Sequence, residues 1–168
     1  EIAMSHTGLS ILYEVINRMA GVAAERIFAP WLDAEQIMRN EGIPLFSLET
    51  RTAAASFDIL GFSMTNELCY TNLLNMLDLA GLPVRAADRK EEDPLILVGG
   101  QAANCGEPIA PFVDLFVLGQ GEEAAVQLIE LYRACRQSGK TKQEFLLEAA
   151  RTLPFVYVPG LYEVEYDG

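Results

Sequence analysis

The chain is poor in positive charge. Its 12 Lys and Arg face 24 Asp and Glu, for a net charge of −12 over 168 residues. Non-specific nucleic-acid binding rests on neutralising phosphates with Lys and Arg, so that class is excluded. The same deficit argues against docking on anionic lipid. Long apolar runs are lacking too. None approaches the roughly 18 to 20 residues of a membrane-spanning helix, and no basic stretch followed by an apolar one marks a signal peptide. Cysteine is scarce. Cys69, Cys105 and Cys135 are odd in number and far apart, which argues against a disulfide framework or metal knuckle and for a reducing, cytoplasmic setting. They read as small buried hydrophobes. Histidine is limited to His6, so no Ser-His-Asp or Cys-His arrangement arises from spacing. The Gly-Lys-Ser/Thr of a P-loop is missing, and Gly119-Gln120-Gly121 fails G-x-G-x-x-G because residue 124 is Ala. No internal repeat or low-complexity segment is visible.

What is present is a globular composition, 51% hydrophobic and 21% charged, in a length that suits one domain with a proper core. The first residue is Glu and the chain opens on an apparently functional stretch, which predicts a piece excised from a longer protein. Helical spacing predicts a helix over Leu9–Ala20 stopped by Gly21, and a second over residues 32–42, capped by Asp33 with Gln36 three residues on and ended by Gly42. A short strand is expected at Arg26–Ala29 before Pro30. Residues 57–64, 95–100 and 113–119 read as strands. Helices are expected over 66–81, 122–139 and 142–153, with a short helix or turn around 107–112 and a short extended piece at Val84–Ala86. Leu73, Met76 and Leu77 form a core face. Trp31 reads as packing, and the charged run 89–93 as a solvated loop. Three strands are continuous apolar runs, as in a parallel sheet covered on both faces by helices. The expected fold is therefore a three-layer α/β domain, a doubly wound parallel sheet of flavodoxin-like or Rossmann-like type. Such a fold needs a central strand before its first helix. Either residues 1–5 supply a stub of it or it lies upstream.

The strand exits share a composition. Met4-Ser5-His6-Thr7-Gly8, Ser63-Met64-Thr65-Asn66, Gly99-Gly100-Gln101 and Gly119-Gln120-Gly121 are small, polar and glycine-rich. Ligands of open α/β sheets bind at the carboxyl ends of the strands, where helix N-termini also aim unpaired N–H groups. These exits make a crevice for an extended polar ligand. A phosphate at Gly119–Gly121 is disfavoured by Glu122 and Glu123, which suit the first turn of a helix. Asn66 and Glu67 read as a helix cap.

Taken together, residues 4–17, 57–83, 93–123 and 158–168 resemble, in order and spacing, the N-terminal cobalamin-binding-type domain of B12-binding radical SAM proteins, in the Fe–S oxidoreductase-like subgroup. The segment Val117-Leu118-Gly119-Gln120-Gly121-Glu122-Glu123 is similar to the Gly-Glu-Gly-Glu signature of these domains. The resemblance implies a five-stranded parallel sheet over residues 1–153, with 154–168 as an exit strand or linker toward a radical SAM domain. It implies a cobalamin whose corrin lies over the strand ends and whose nucleotide tail enters a slot at the side. Ser63-Met64-Thr65 and Gly99-Gly100 occupy the tail-slot positions, where a serine hydroxyl can bond the buried base nitrogen and glycines give clearance. The implied cofactor contacts are Ser5, His6, Gly8, Ser63, Met64, Thr65, Asn66, Gly99, Gly100, Gln101, Gly119, Gln120 and Gly121. The D-x-H-x-x-G of methylcobalamin-type domains is not intact around His6, which reads first as a surface or loop-capping histidine and second as a cobalt ligand; radical SAM relatives commonly hold cobalamin without a protein ligand. The [4Fe–4S] cluster and S-adenosylmethionine belong to a C-x-x-x-C-x-x-C region that this chain does not contain. The chain alone is thus expected to be non-catalytic, and its parent a radical SAM oxidoreductase or methyltransferase.

Two other functions stay open. The same fold would serve as a cofactor-free docking or gating module, favoured if Met64, Gln101 and Tyr70 close the tail slot. A flavodoxin-like domain binding FMN would use Ser5, Thr7 and Ser10 as its phosphate loop.

Overall fold

The computed structural model describes residues 6–163. Its helices are α1 (Thr7–Asn17), α2 (Leu32–Glu41), α3 (Tyr70–Leu79), α4 (Gly121–Gln137) and α5 (Lys142–Thr152), and its strands are β1 (Ile59–Ser63), β2 (Leu95–Gly99), β3 (Leu115–Val117) and β4 (Val156–Tyr157). The strands form one sheet in the order β1-β2-β3-β4. The first three are parallel and β4 is antiparallel to β3. The α/β class is the one the apolar strands announce. The five parallel strands implied by the resemblance are four among the described residues, one of them reversed.

Alternation along the strands explains the layers. Successive side chains point to opposite faces. Leu60, Ile96, Val98 and Phe116 pack with Met38 of α2 and Leu73 and Leu77 of α3. Leu95, Leu115 and Val117 pack with Ala124, Leu128 and Cys135 of α4 and Phe145 and Ala149 of α5. Both faces are thus covered, as the continuous apolar runs require. Leu73 and Leu77 are fully buried, with Met76 packed against the same core.

Several boundaries differ from the sequence expectations. Residues 26–29 join no strand ladder. Residues 84–85 are irregular and lead into a 3₁₀ turn at Ala86–Asp88. The cap of α2 is Trp31 without a side-chain bond; Asp33 instead accepts from the adjacent Ala34 N–H. Helix α3 is preceded by a 3₁₀ turn, Glu67–Cys69, which Asn66 caps by accepting from Leu68 N–H. Trp31 is 78% exposed, so it packs on nothing substantial. Of the three cysteines only Cys135 is buried, while Cys105 is exposed and Cys69 intermediate.

The charged run 89–93 is not all solvated. Arg89 has a side chain only 1% exposed, paired with Asp114 at 3.0 Å. Its Nη1 donates to the carbonyls of Pro83 and Val84, and its Nη2 to Phe112. The other oxygen of Asp114 accepts from Ile96 N–H at 2.6 Å. This staple ties the connection ahead of β2 to the start of β3. Lys142 Nζ donates to the carbonyls of Lys90 and Asp93 nearby, and burial pushes its ammonium below the usual lysine range.

Candidate functional site

The carboxyl ends of β1, β2 and β3 carry the expected loops. Ser63 and Gly99 are direct partners in the β1–β2 ladder, so they lie side by side. They share the face of Gly61 and Leu97, the side on which α4 packs. Ser63 and Gly61 are exposed. A Cβ built on Gly99 would meet Val117 no closer than 3.8 Å, and one on Gly61 only Leu97, at 3.7 Å. This strip of sheet is open beside a hydroxyl and two glycines.

The second glycine of the pair has a different role. Gly100 adopts φ +96°, and a Cβ there would stand 2.5 Å from the carbonyl oxygen of Met64. Met64 is buried, its N–H donates to Gly99 C=O, and its own C=O accepts from Ala102 N–H. Gly100 is therefore glycine so that the loop can lie against the Met64 backbone. The hydroxyl of Tyr70 lies 2.9 Å from the carbonyls of both Ala102 and Cys105, sharing its one proton between them and pinning the same loop. Thr65, Asn66, Gln101, Gly119 and Gln120 are exposed along this edge. Gly119 has φ +99° with nothing within 4 Å of a built Cβ. Gly121 opens α4 against Leu12 of α1.

His6 caps α1. Its Nδ1 accepts from Leu9 N–H at 3.1 Å, and Gly8 packs under the ring. A neutral imidazole has one lone pair, spent here on the cap, so binding a metal through Nε2 would move the proton to Nδ1 and give up that bond. Thr7 and Ser10, read as parts of a flavin phosphate loop, belong to α1 itself. Ser5 lies outside the described residues. Among the described residues no group of three or more His, Cys, Asp or Glu side chains is arranged to hold a metal ion, and no helix is long and apolar enough to cross a membrane.

Sequence reasoning missed an apolar rim on this edge. Helices α2 and α3 lie parallel, joined by Glu35 to Asn75 and Arg39 to Asp78. Their N-terminal ends therefore present Trp31 and Leu32, with Leu68 just ahead of α3, to the same side as the loops. These three are 78%, 74% and 88% exposed. The signal was legible: apolar residues at helix entrances that fit neither helix's core-facing stripe.

An open α/β domain with glycine loops at one sheet edge defines the class. The family model described as radical SAM proteins, N-terminal, matches residues 8–159, and the chain belongs to this family. No curated protein and no solved structure matches it. Membership of the N-terminal family makes this an auxiliary domain of a larger radical SAM polypeptide.

Proposed function

We propose that the domain holds a corrinoid for its radical SAM enzyme at the carboxyl edge of the sheet. The observation that carries this reading is the Ser63–Gly99 pair, a hydroxyl and a missing side chain set next to each other on an open strip of strand. Ser63 would donate to a nitrogen of the nucleotide tail, Gly99 would give the tail room, and the open turn at Gly119 would leave space for the rest of the group. When bound, the corrinoid supplies a cobalt centre that can carry a methyl group. Titrating the purified chain with hydroxocobalamin, followed by the visible corrin spectrum, is the test. A saturable spectral change that Gly99→Val abolishes is expected. An unchanged spectrum with no co-eluting corrinoid overturns the reading.

A second reading, a cofactor-free docking module, is favoured by the packing of Gly100 on Met64 and by the Tyr70 clasp, which close the loop behind the strip. The rim of Trp31, Leu32 and Leu68 would then be the docking face. In that case association with the separately produced radical SAM portion, without corrinoid, is lost in Trp31→Glu and Leu68→Glu and retained in Gly99→Val.

A further inference from the structure

Among the described residues, positive φ is taken by six glycines and by one residue with a side chain, Arg51 at φ 60°. That region suits glycine, and after it Asn and Asp, and is strained for arginine. The turn that imposes it is held from both sides. Phe46 and Ala53 form an antiparallel bridge. Ser47 N–H donates to Thr52 C=O, and Thr52 N–H donates to Ser47 Oγ at 3.0 Å. Thr50 Oγ1 donates to Glu25 at 2.7 Å and lies 2.6 Å from Thr52 Oγ1. Strain that the surroundings hold in place is a reason to ask what the side chain does.

Arg51 is exposed, and its side chain has no ion pair or hydrogen bond among the described residues. The carboxylates beside the turn are engaged elsewhere. Glu49 accepts from the N–H and the Nε of Arg26, and Glu25 from Thr50. The guanidinium is therefore not needed to balance a neighbouring acid. Arg51 instead lines a notch of 180 Å³ with Ile43, Pro44, Phe46 and Ala53, and it is the one charged residue of that lining. Leu45 N–H, beside the notch, donates to the carbonyl of Leu79, the last residue of α3. The notch thus sits near the end of α3, whereas the glycine loops sit at its beginning.

We infer that this notch is a second binding site, for a small carboxylate: an anionic head on an apolar body of one ring or one branched chain. The planar fork of an arginine meets a carboxylate with two parallel N–H donors. Ile43, Pro44, Phe46 and Ala53 offer the body an apolar floor. The volume lies below the roughly 300–1,000 Å³ of pockets for drug-sized ligands, so the body is small. A bare phosphate would use the fork and leave the floor wet. An uncharged amide would cover the floor and give up the charge-assisted bonds. The chain's net charge of −12 repels anions at a distance, so this anion is selected by contact. The backbone argues the same way. Glycine or asparagine would make the turn with less strain and would forfeit the fork. The site holds with or without a corrinoid at the carboxyl edge.

Chemical-shift titration of the isotope-labelled full chain tests it with three probes: phenylacetate, phenylacetamide and inorganic phosphate. Phenylacetate moves the Phe46 and Ala53 amides and the Arg51 Nε–H saturably. Phenylacetamide and phosphate each bind roughly tenfold more weakly, because each lacks one of the two contacts. No response to phenylacetate overturns the inference, and so does equal binding of either other probe. Arg51→Asn removes the fork and keeps a residue that tolerates positive φ. It loses the phenylacetate response, while its urea midpoint stays level or rises. A lower midpoint would assign the arginine to the fold and overturn the inference, as would an undiminished response. Hydroxocobalamin added to the same sample leaves the phenylacetate shifts in place, so this site and the corrinoid reading fail separately. Displacement by hydroxocobalamin would merge the two and overturn the second site.

Discussion

At the scale of single residues the Arg89–Asp114 pair is the decisive polar contact. Both side chains are almost fully out of water, so removing one leaves the other charged and unpaired in the interior. Arg89→Ala is expected to cost about 3–5 kcal/mol, read as a lower urea midpoint at unchanged slope. Arg89→Met with Asp114→Leu should recover only part of that, because Ile96 N–H loses its acceptor. Tyr157 gives a second measurable. Burial first, and its bond to Glu107 second, push its phenol up from 10.0 to about 12. A raised phenol means the folded state holds the proton more tightly. The contribution to stability is therefore full below pH 10.0 and is lost as pH climbs toward about 12. Ultraviolet titration should show this tyrosine ionising late. Glu107→Gln should lower its midpoint while leaving it above 10.0, since burial is the larger cause. Neither residue was legible in the sequence. Arg89 opens a charged run whose other members are solvent-facing or only partly covered, and its burial is decided by Asp114, 25 positions away.

Among the elements, what local chemistry determines was legible and what a neighbour determines was not. Strands β1, β2 and β3 fall inside the apolar runs read as strands, and Gly42 closes α2 at φ 64°. The segment 26–29 has strand composition but no ladder partner among the described residues, and extended chain becomes sheet only by pairing. The best helix start went unread. Thr141 and Glu144 form a capping box at α5, and the T-x-x-E spacing was there to see. Thr141→Ala should cost about 1 kcal/mol by chemical denaturation. Gly100→Ala tests the strand-exit loop. It forces a Cβ into the Met64 carbonyl at positive φ, so a loss of more than about 2 kcal/mol is expected. Gly99→Ala, with ordinary clearance, should cost far less. Equal losses at the two positions would contradict the division of roles between them.

For the whole molecule, the class was legible because a parallel sheet buried on both faces imposes apolar strands and amphipathic helices everywhere. The candidate site was legible as a set of loops, since glycine and small polar residues gather wherever strands end. Which glycine faces an open strip and which is clamped by a neighbour is decided by strand parity and by Met64, and composition carries neither.

The reversed strand β4 has its own consequence. β3 delivers the chain to the edge that carries the glycine loops, and the return through α4 and α5 lets β4 run back down the sheet. Over Val156–Tyr157 the polypeptide therefore heads away from those loops. At two residues β4 also offers little free backbone, so this side of the sheet is a poor template for pairing with another chain.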